Sequence, residues 1–273
     1  MNATYEARAY WESLLGGKYS LRGVGYQGLS ASFNRLFYRS VAVAAAAALD
    51  RAGVGAPRRV LDVGSGTGYW IDFWQRRGAG EIIGLDLTRA AVEGLRERLP
   101  GIRFEQADVG AERLPGGLGE LDAISAMSVL LHITDEERFR RAVANLGAAL
   151  APGGVLLLTE PVVVHRWWGR PFDESSNSKA RPLGEWTDAL AAAGLRLESL
   201  TPATCLLANT IDTRRPGTYR LAFRYWEALN MGVGPRERLG AVVGSTLYAL
   251  DRVAMRLART GPSTKIVVAR RVS

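Results

Sequence analysis

Short apolar runs recur along the middle of the chain: Val60–Val63, Ile82–Leu85, Ile102–Phe104, Ala123–Ala126, Val155–Leu158 and Leu195–Leu200. They alternate with helix-like segments, which predicts a parallel sheet with helices on its faces. The clearest helix follows Thr134. Thr134 and Glu137 have the spacing of a capping box, and Phe139, Val143, Leu146 and Leu150 recur at helical spacing. Pro152-Gly153-Gly154 is expected to stop that helix.

The flanks read differently. Residues 1–55 are helical in pattern, with a glycine-rich break before an alanine-rich helix, and form an N-terminal helical cap. Residues 56–200 form the alternating core, 201–263 a helical insertion, and 264–273 a last strand starting at Lys265. The insertion has helical periodicity over Tyr219–Asn230 and Arg236–Arg259. Structureless loops of about sixty residues are uncommon in compact domains. Two helices over the carboxyl edge of the sheet are therefore expected, meeting the N-terminal helices around Tyr19 and Tyr26.

Composition narrows the class. With 47% hydrophobic and 23% charged residues the chain is globular. The net charge is +8, yet only three of the 35 basic residues are lysine. Scattered arginines among abundant alanine and glycine point to a GC-rich bacterial coding bias, and no nucleic-acid partner is expected. A single cysteine, Cys205, precludes an intramolecular disulfide and a cysteine-built metal site. The first residues lack the apolar core of a secretory leader, and a cytoplasmic location is expected.

The chemistry concentrates in Val60-Leu61-Asp62-Val63-Gly64-Ser65-Gly66-Thr67-Gly68, a strand running into a glycine-rich turn. A dinucleotide fingerprint needs glycine or alanine at the sixth position, where this turn has Tyr69, and the lysine of a phosphate-binding loop is absent. Asp62 would repel a pyrophosphate but favour a cationic ligand. Asp86 ends the second strand eighteen residues beyond Gly68, where an acid can accept from ribose hydroxyls. Asp108 follows the third strand, placed to accept from an adenine amino group. Helix capping for Asp86 and a solvated loop for Asp108 are the plainer readings of each alone.

Taken in order, LDVGSGTG, GLDL, QADV, LDAISAMSVLLHI and LAPGGVLLLTEP resemble the class I S-adenosylmethionine (SAM)-dependent methyltransferase family, in particular its branch acting on quinones and other small metabolites. The resemblance covers about Arg58 to Pro161. It implies a Rossmann-like α/β fold: a seven-stranded sheet, helices on both faces, last strand antiparallel. It also implies SAM as cofactor, with Asp62, Gly64, Gly66 and Gly68 at the methionine part, Asp86 and Leu87 at the ribose, Asp108 and Val109 at the adenine, and Ser65 and Met127 also at the cofactor.

Methyl transfer needs a base only where the acceptor must lose a proton. His132, after the fourth strand, is the first candidate for a base or orienting group; a structural histidine is the competing reading. His165, Tyr19, Tyr26, Phe223 and Trp226 are candidates for the acceptor side, alongside a simple packing role for each aromatic. The fifth strand ends Thr159-Glu160-Pro161-Val162, unlike the acidic metal-ligand pattern of catechol-type enzymes, and no metal is expected. No tyrosine is followed four residues later by lysine, which argues against a short-chain dehydrogenase. The leading expectation is metal-independent methylation, by in-line displacement, of a small-molecule acceptor at oxygen, nitrogen or carbon. A non-methylating member of the fold, and a protein acting on a lipid or isoprenoid at a membrane surface, stay open. The apolar stripe of Arg236–Arg259 suits an interfacial helix, but packing on the core is the preferred explanation.

Overall fold

The computed structural model describes residues 6–17, 19–166 and 176–272. Trp167 and Trp168, the aromatic neighbours of His165, lie outside them. Helices α1 (Ala7–Gly17), α2 (Leu21–Val24) and α3 (Ala31–Arg51) precede the first strand. The core then runs β1 (Arg59–Val63), α4 (Tyr69–Arg76), β2 (Glu81–Asp86), α5 (Arg89–Arg98), β3 (Arg103–Gln106) and β4 (Leu121–Met127). A 3₁₀ turn (Leu130–His132), α6 (Glu136–Ala149) and β5 (Leu150–Glu160) follow. Beyond these come a small parallel pair, β6 (Val162–Val163) with β7 (Arg181–Pro182), then α7 (Leu183–Ala192) and β8 (Leu195–Pro202). The chain closes with α8 (Pro216–Val233), α9 (Glu237–Leu257) and β9 (Lys265–Arg271).

Seven strands form one sheet in the order β3-β2-β1-β4-β5-β9-β8. β1 to β5 are parallel, and β9 runs antiparallel between β5 and β8. Side chains alternate across a strand, so neighbours split between two cores. Leu61, Ile83, Ile124 and Val267 pack under α6 and α7. Val60, Ile82, Ala123, Ile266 and Val268 pack under α3 and α4. This fold is the Rossmann-like α/β sheet expected, with its last strand antiparallel.

Two local expectations are corrected. The cap of α6 is Asp135, whose carboxylate accepts from the Arg138 amide at 2.8 Å, so the helix starts at Glu136 and Glu137 pairs with Arg141 instead. The capping-box pattern was one residue out of register because aspartate is itself a strong N-cap. The helix also ends at Ala149, leaving Pro152-Gly153-Gly154 inside β5 with Gly153 at φ +77°.

Of the two insertion helices, α8 meets the N-terminal segment at Tyr26 through Trp226, but α9 does not sit where the pattern suggested. α9 lies along α3, and α3 in turn packs on β8 and β9. Gly240 and Gly244 permit the approach: a Cβ on Gly240 would stand 1.9 Å from Ser30 Oγ, and one on Gly244 2.8 Å from Leu36. Glu237 closes the start of α3, accepting from the amides of Ala31 and Ser32 at 2.8 and 3.0 Å. Asp251 is fully buried and accepts from Ser40 Oγ (2.6 Å), Thr204 Oγ1 (2.9 Å) and the amides of Cys205 and Leu206 (both 2.7 Å). That one carboxylate joins α3, α9 and the chain leaving β8. Asp251→Ala is expected to destabilise the protein by about 3–5 kcal/mol, because four donors, two of them buried, lose their shared partner; urea unfolding checks it.

Candidate active site

The carboxyl ends of β1 to β4 open into one cavity, where ligands of open α/β sheets bind. Gly64, Ser65, Gly66 and Thr67 line it after β1, Asp86 and Leu87 after β2, Ala107, Asp108 and Val109 after β3, and Met127, Ser128 and Val129 after β4. Trp11, Val24, Tyr38, Trp70 and Arg138 complete the walls.

The turn after β1 is built by hydrogen bonds to β2. The amides of Gly64 and Ser65 donate to the Leu85 carbonyl at 2.6 and 3.2 Å, and the Gly66 amide to Asp86 Oδ2 at 2.8 Å. Gly64 and Gly66 have φ of +69° and +50°, and a Cβ on Gly64 would stand 2.4 Å from Val129. Only glycine keeps that close approach without strain. Gly68, also at positive φ, faces α5 instead, with Arg98 and Leu95 against it, and does not line the cavity. Its role is to start α4.

Asp62 is displaced from its expected place in the cavity wall. It is fully buried beneath the turn, where Trp74 Nε1 donates to Ser125 Oγ (2.8 Å) and Ser125 Oγ to Asp62 Oδ1 (2.6 Å). Its Oδ2 has no partner. Burial pushes the carboxyl up to about 7, against the lowering effect of the Ser125 and Ser65 hydroxyls. Asp86 is nearly buried, and Oδ1 already accepts from the amide and hydroxyl of Thr88, at 2.8 and 2.7 Å. With the Gly66 amide on Oδ2, one lone pair stays open, enough for one ribose hydroxyl. Asp108 accepts from the Gly110 amide at 2.8 Å and pairs with Arg138 at 2.5 Å. Arg138, on α6, carried no motif of its own.

A second, wider cavity of about 940 Å³ adjoins the first and shares Trp11, Val24, Tyr38, Trp70, Met127, Ser128 and His132 with it. His132 stands at this junction. Its Nδ1 lies 2.5 Å from the Asn177 carbonyl. A carbonyl only accepts, so Nδ1 carries the proton and Nε2 is the basic nitrogen of the neutral ring. Burial holds the ring's pKa below the ordinary histidine value. The Trp11 ring meets it edge-on at 4.8 Å. Glu160, pushed up to about 8 chiefly by burial, accepts from the Leu130 amide at 2.8 Å and anchors the turn that presents His132. Ser128, the neighbour of Met127, has φ +59°, a left-handed conformation unusual for a non-glycine residue.

Of the acceptor-side candidates, only Tyr26 lines the wider cavity. Trp226 packs behind it, ring centroids 4.7 Å apart. Tyr19 supports the glycine turn, its hydroxyl donating to the Gly66 carbonyl at 3.1 Å. Phe223 is 43% exposed and stacks on Tyr219. His165 is exposed, with its amide donating to Asp212 at 2.8 Å. Tyr19, His165, Phe223 and Trp226 line neither cavity. The insertion contributes Asn209 and Ile211 from its first loop rather than aromatics from α8.

Such a turn, with acids after β2 and β3, defines a nucleoside-cofactor site on a Rossmann-like sheet. Residues 60–154 match a family model described as a methyltransferase domain. The trans-aconitate 2-methyltransferase of Variovorax paradoxus (strain S110) is 30% identical over 160 residues, 51% of this chain and 58% of that protein. The demethylmenaquinone methyltransferase of Deinococcus radiodurans is 34% identical over 110 residues, 38% of this chain and 44% of that protein. The chain thus spans about half the length of the curated relatives it matches. In fold it is similar to a putative methyltransferase solved with the Haloferax volcanii Trm112 activator: TM-score 0.59, 16% identity, 98% of each chain covered. Residues 60–154 thus carry a methyltransferase domain similar to those of class I SAM-dependent enzymes.

SAM is the cofactor of this domain, and the residues fit it. Gly64 and Gly66 leave room for backbone approach, Asp86 keeps an acceptor open, and the orphaned Asp62 oxygen favours a nearby positive charge. Asp86→Ala should weaken SAM binding by about 1–3 kcal/mol, read by calorimetry. Asp62 adds a pH dependence. A cationic ligand favours the ionised carboxylate, so binding releases a proton. Affinity should rise with pH until Asp62, at about 7 in the free protein, is ionised, then level off. Calorimetry across that range should show the slope in the native chain and its loss in Asp62→Asn.

Proposed function

We propose that this chain transfers the methyl group of SAM to a neutral, largely apolar small molecule bearing a hydroxyl. The observation carrying this reading is the junction of the two cavities at Met127, Ser128 and His132. SAM supplies an electrophilic methyl group. Gly64, Ser65, Gly66, Asp86, Leu87, Asp108, Val109 and Met127 hold it, and the rings of Trp11, Tyr38 and Trp70 keep water from the space where the cavities meet. His132, neutral and with Nε2 available, accepts the acceptor's hydroxyl proton. Orientation and exclusion of water supply most of the acceleration.

Substrate class follows from the wider cavity. Tyr10, Trp11, Tyr26, Phe37, Tyr38 and Trp70 give it an aromatic wall, with Asn177 and Asn209 as neutral polar groups. Among the described residues its charged lining is Glu6 and Lys179, and Lys179 pairs with Glu136. A multiply charged carboxylate, which the name of the Variovorax relative suggests, would meet an acid and a single committed cation there. A flat, uncharged acceptor suits those walls. In this reading residues 1–55 cap the acceptor, 56–200 bind the cofactor, 201–263 brace the cap, and 264–273 complete the sheet. Metal independence belongs to the same proposal: among the described residues no three His, Cys, Asp or Glu side chains gather into a metal-binding group.

A SAM-consumption assay against phenols, hydroxylated polycycles, amines and tricarboxylates tests the proposal. Phenolic or polycyclic acceptors should turn over and tricarboxylates should not; the reverse pattern would sink the assignment. With a turned-over acceptor, His132→Ala should lower kcat by about 10²–10⁴-fold and leave SAM affinity nearly unchanged. Equal losses of SAM affinity and thermal stability would show that His132 is structural.

A further inference from the structure

The chain's net charge and its unpartnered apolar surface concentrate in the same segment. Residues 214–259 contain nine arginines and three acidic residues, net +6 in a chain of net +8. Two of those acids are committed: Asp251 is buried in its four-donor site, and Glu237 closes the start of α3. On α9, Leu239, Val242, Leu250, Val253 and Leu257 are exposed by 39, 66, 54, 56 and 82%. At about 100° per residue these five fall within an arc of roughly 80°. Gly240, Gly244 and Asp251 occupy another face, turned to α3. Of the stripe read from the sequence, only Val243 and Leu247 reach the cluster around Leu29 and Phe33. Core packing therefore does not account for the stripe.

Arg238, Arg252 and Arg256 lie together on one flank of these side chains, within about 40° of each other by the same geometry. A second copy of the chain is a poor occupant. Antiparallel pairing of two α9 helices would lay this arginine flank beside itself, and a parallel pair would turn it towards the flank that α3 already covers, so neither offers it an exposed acid. A bilayer with anionic headgroups answers both features: apolar side chains enter the interface, and arginines meet the headgroups. The helix lies on such a surface rather than crossing it, for among the described residues no helix is long and apolar enough to span a membrane.

We propose that α9 is a docking face for an anionic membrane surface, seated by Leu239, Val242, Leu250, Val253 and Leu257 and held by Arg238, Arg252 and Arg256. α9 packs on α3, and α3 sends Phe37, Tyr38 and Val41 into the wider cavity. Docking would thus set the cavity wall one helix layer, about 10 Å, from the bilayer. The inference rests on the surface alone and holds or fails independently of the methyl-transfer reading.

The test is co-sedimentation of the full chain with phosphatidylcholine vesicles, with and without about one-third phosphatidylserine, at low and high salt. Binding should need the anionic lipid and weaken at high salt. Each arginine near the surface contributes about fivefold to partitioning, so Arg238→Gln/Arg252→Gln/Arg256→Gln should lower it by about 100-fold. Val253→Gln/Leu257→Gln should lower it by at least about tenfold. All five positions are at the surface or half-buried, so SAM affinity and Tm should stay native. Absence of binding to anionic vesicles, or binding that none of these changes weakens, overturns the proposal. So does sedimentation velocity showing a dimer that Val253→Gln/Leu257→Gln dissolves, which would make the face a contact between copies.

Discussion

The Gly66 amide donates to Asp86 across 2.8 Å, and the cofactor cleft depends on that bond. It fixes the turn after β1 to the end of β2, so the backbone that must approach the ligand and the carboxylate that must recognise it are set by one contact. Thr88 holds the other oxygen of Asp86, so the carboxylate cannot swing. Gly64 then passes under Val129 with no room for a side chain, which joins the same turn to the end of β4. Preorganisation here is a matter of three strand ends sharing a few short hydrogen bonds and one van der Waals contact.

Two buried carboxylates carry the cost of this arrangement. Asp62 lies beneath the turn and Glu160 beneath the segment leading to His132; each has one oxygen bonded and the other without a partner. Burial raises them to about 7 and about 8. The folded chain therefore holds protons there that the unfolded chain gives up near the ordinary carboxylate range. Their contribution to stability is complete below that range and is lost as pH rises through the folded values. A positively charged ligand offsets the penalty at Asp62, so fold stability and cofactor binding are linked through one side chain.

The insertion serves the site from a distance. Glu237 and Asp251 fasten α9 to α3, and α3 presents Phe37, Tyr38 and Val41 to the wider cavity. α8 adds Trp226 behind Tyr26. The wider cavity is thus lined by the N-terminal helices and by the loop carrying Asn209 and Ile211, braced from outside by helices that do not line it.

The strands, their order of appearance, the glycine turn and the acids after β2 and β3 could be read from the sequence, because each depends on neighbours within a few residues. Buried strands need apolar runs, a tight turn needs glycine, and a strand end in this fold marks a ligand edge. Which face of a helix turns inward is different. Phe223 and Trp226 share α8 with equal aromatic character, yet one is largely exposed and the other packs on Tyr26. The α9 stripe reads as core, but Gly240 and Gly244 admit α3 on another face and leave Leu239, Leu250 and Leu257 outside. Trp11 and Arg138 reach the cleft from α1 and α6 with no local pattern to mark them. Asp62 looks like a ligand contact until the Trp74–Ser125 chain places it beneath the turn. Periodicity and turn chemistry are local, so the sequence determines them. The choice of partner for each helix face is made by packing between segments far apart in the chain, and only the tertiary structure decides it.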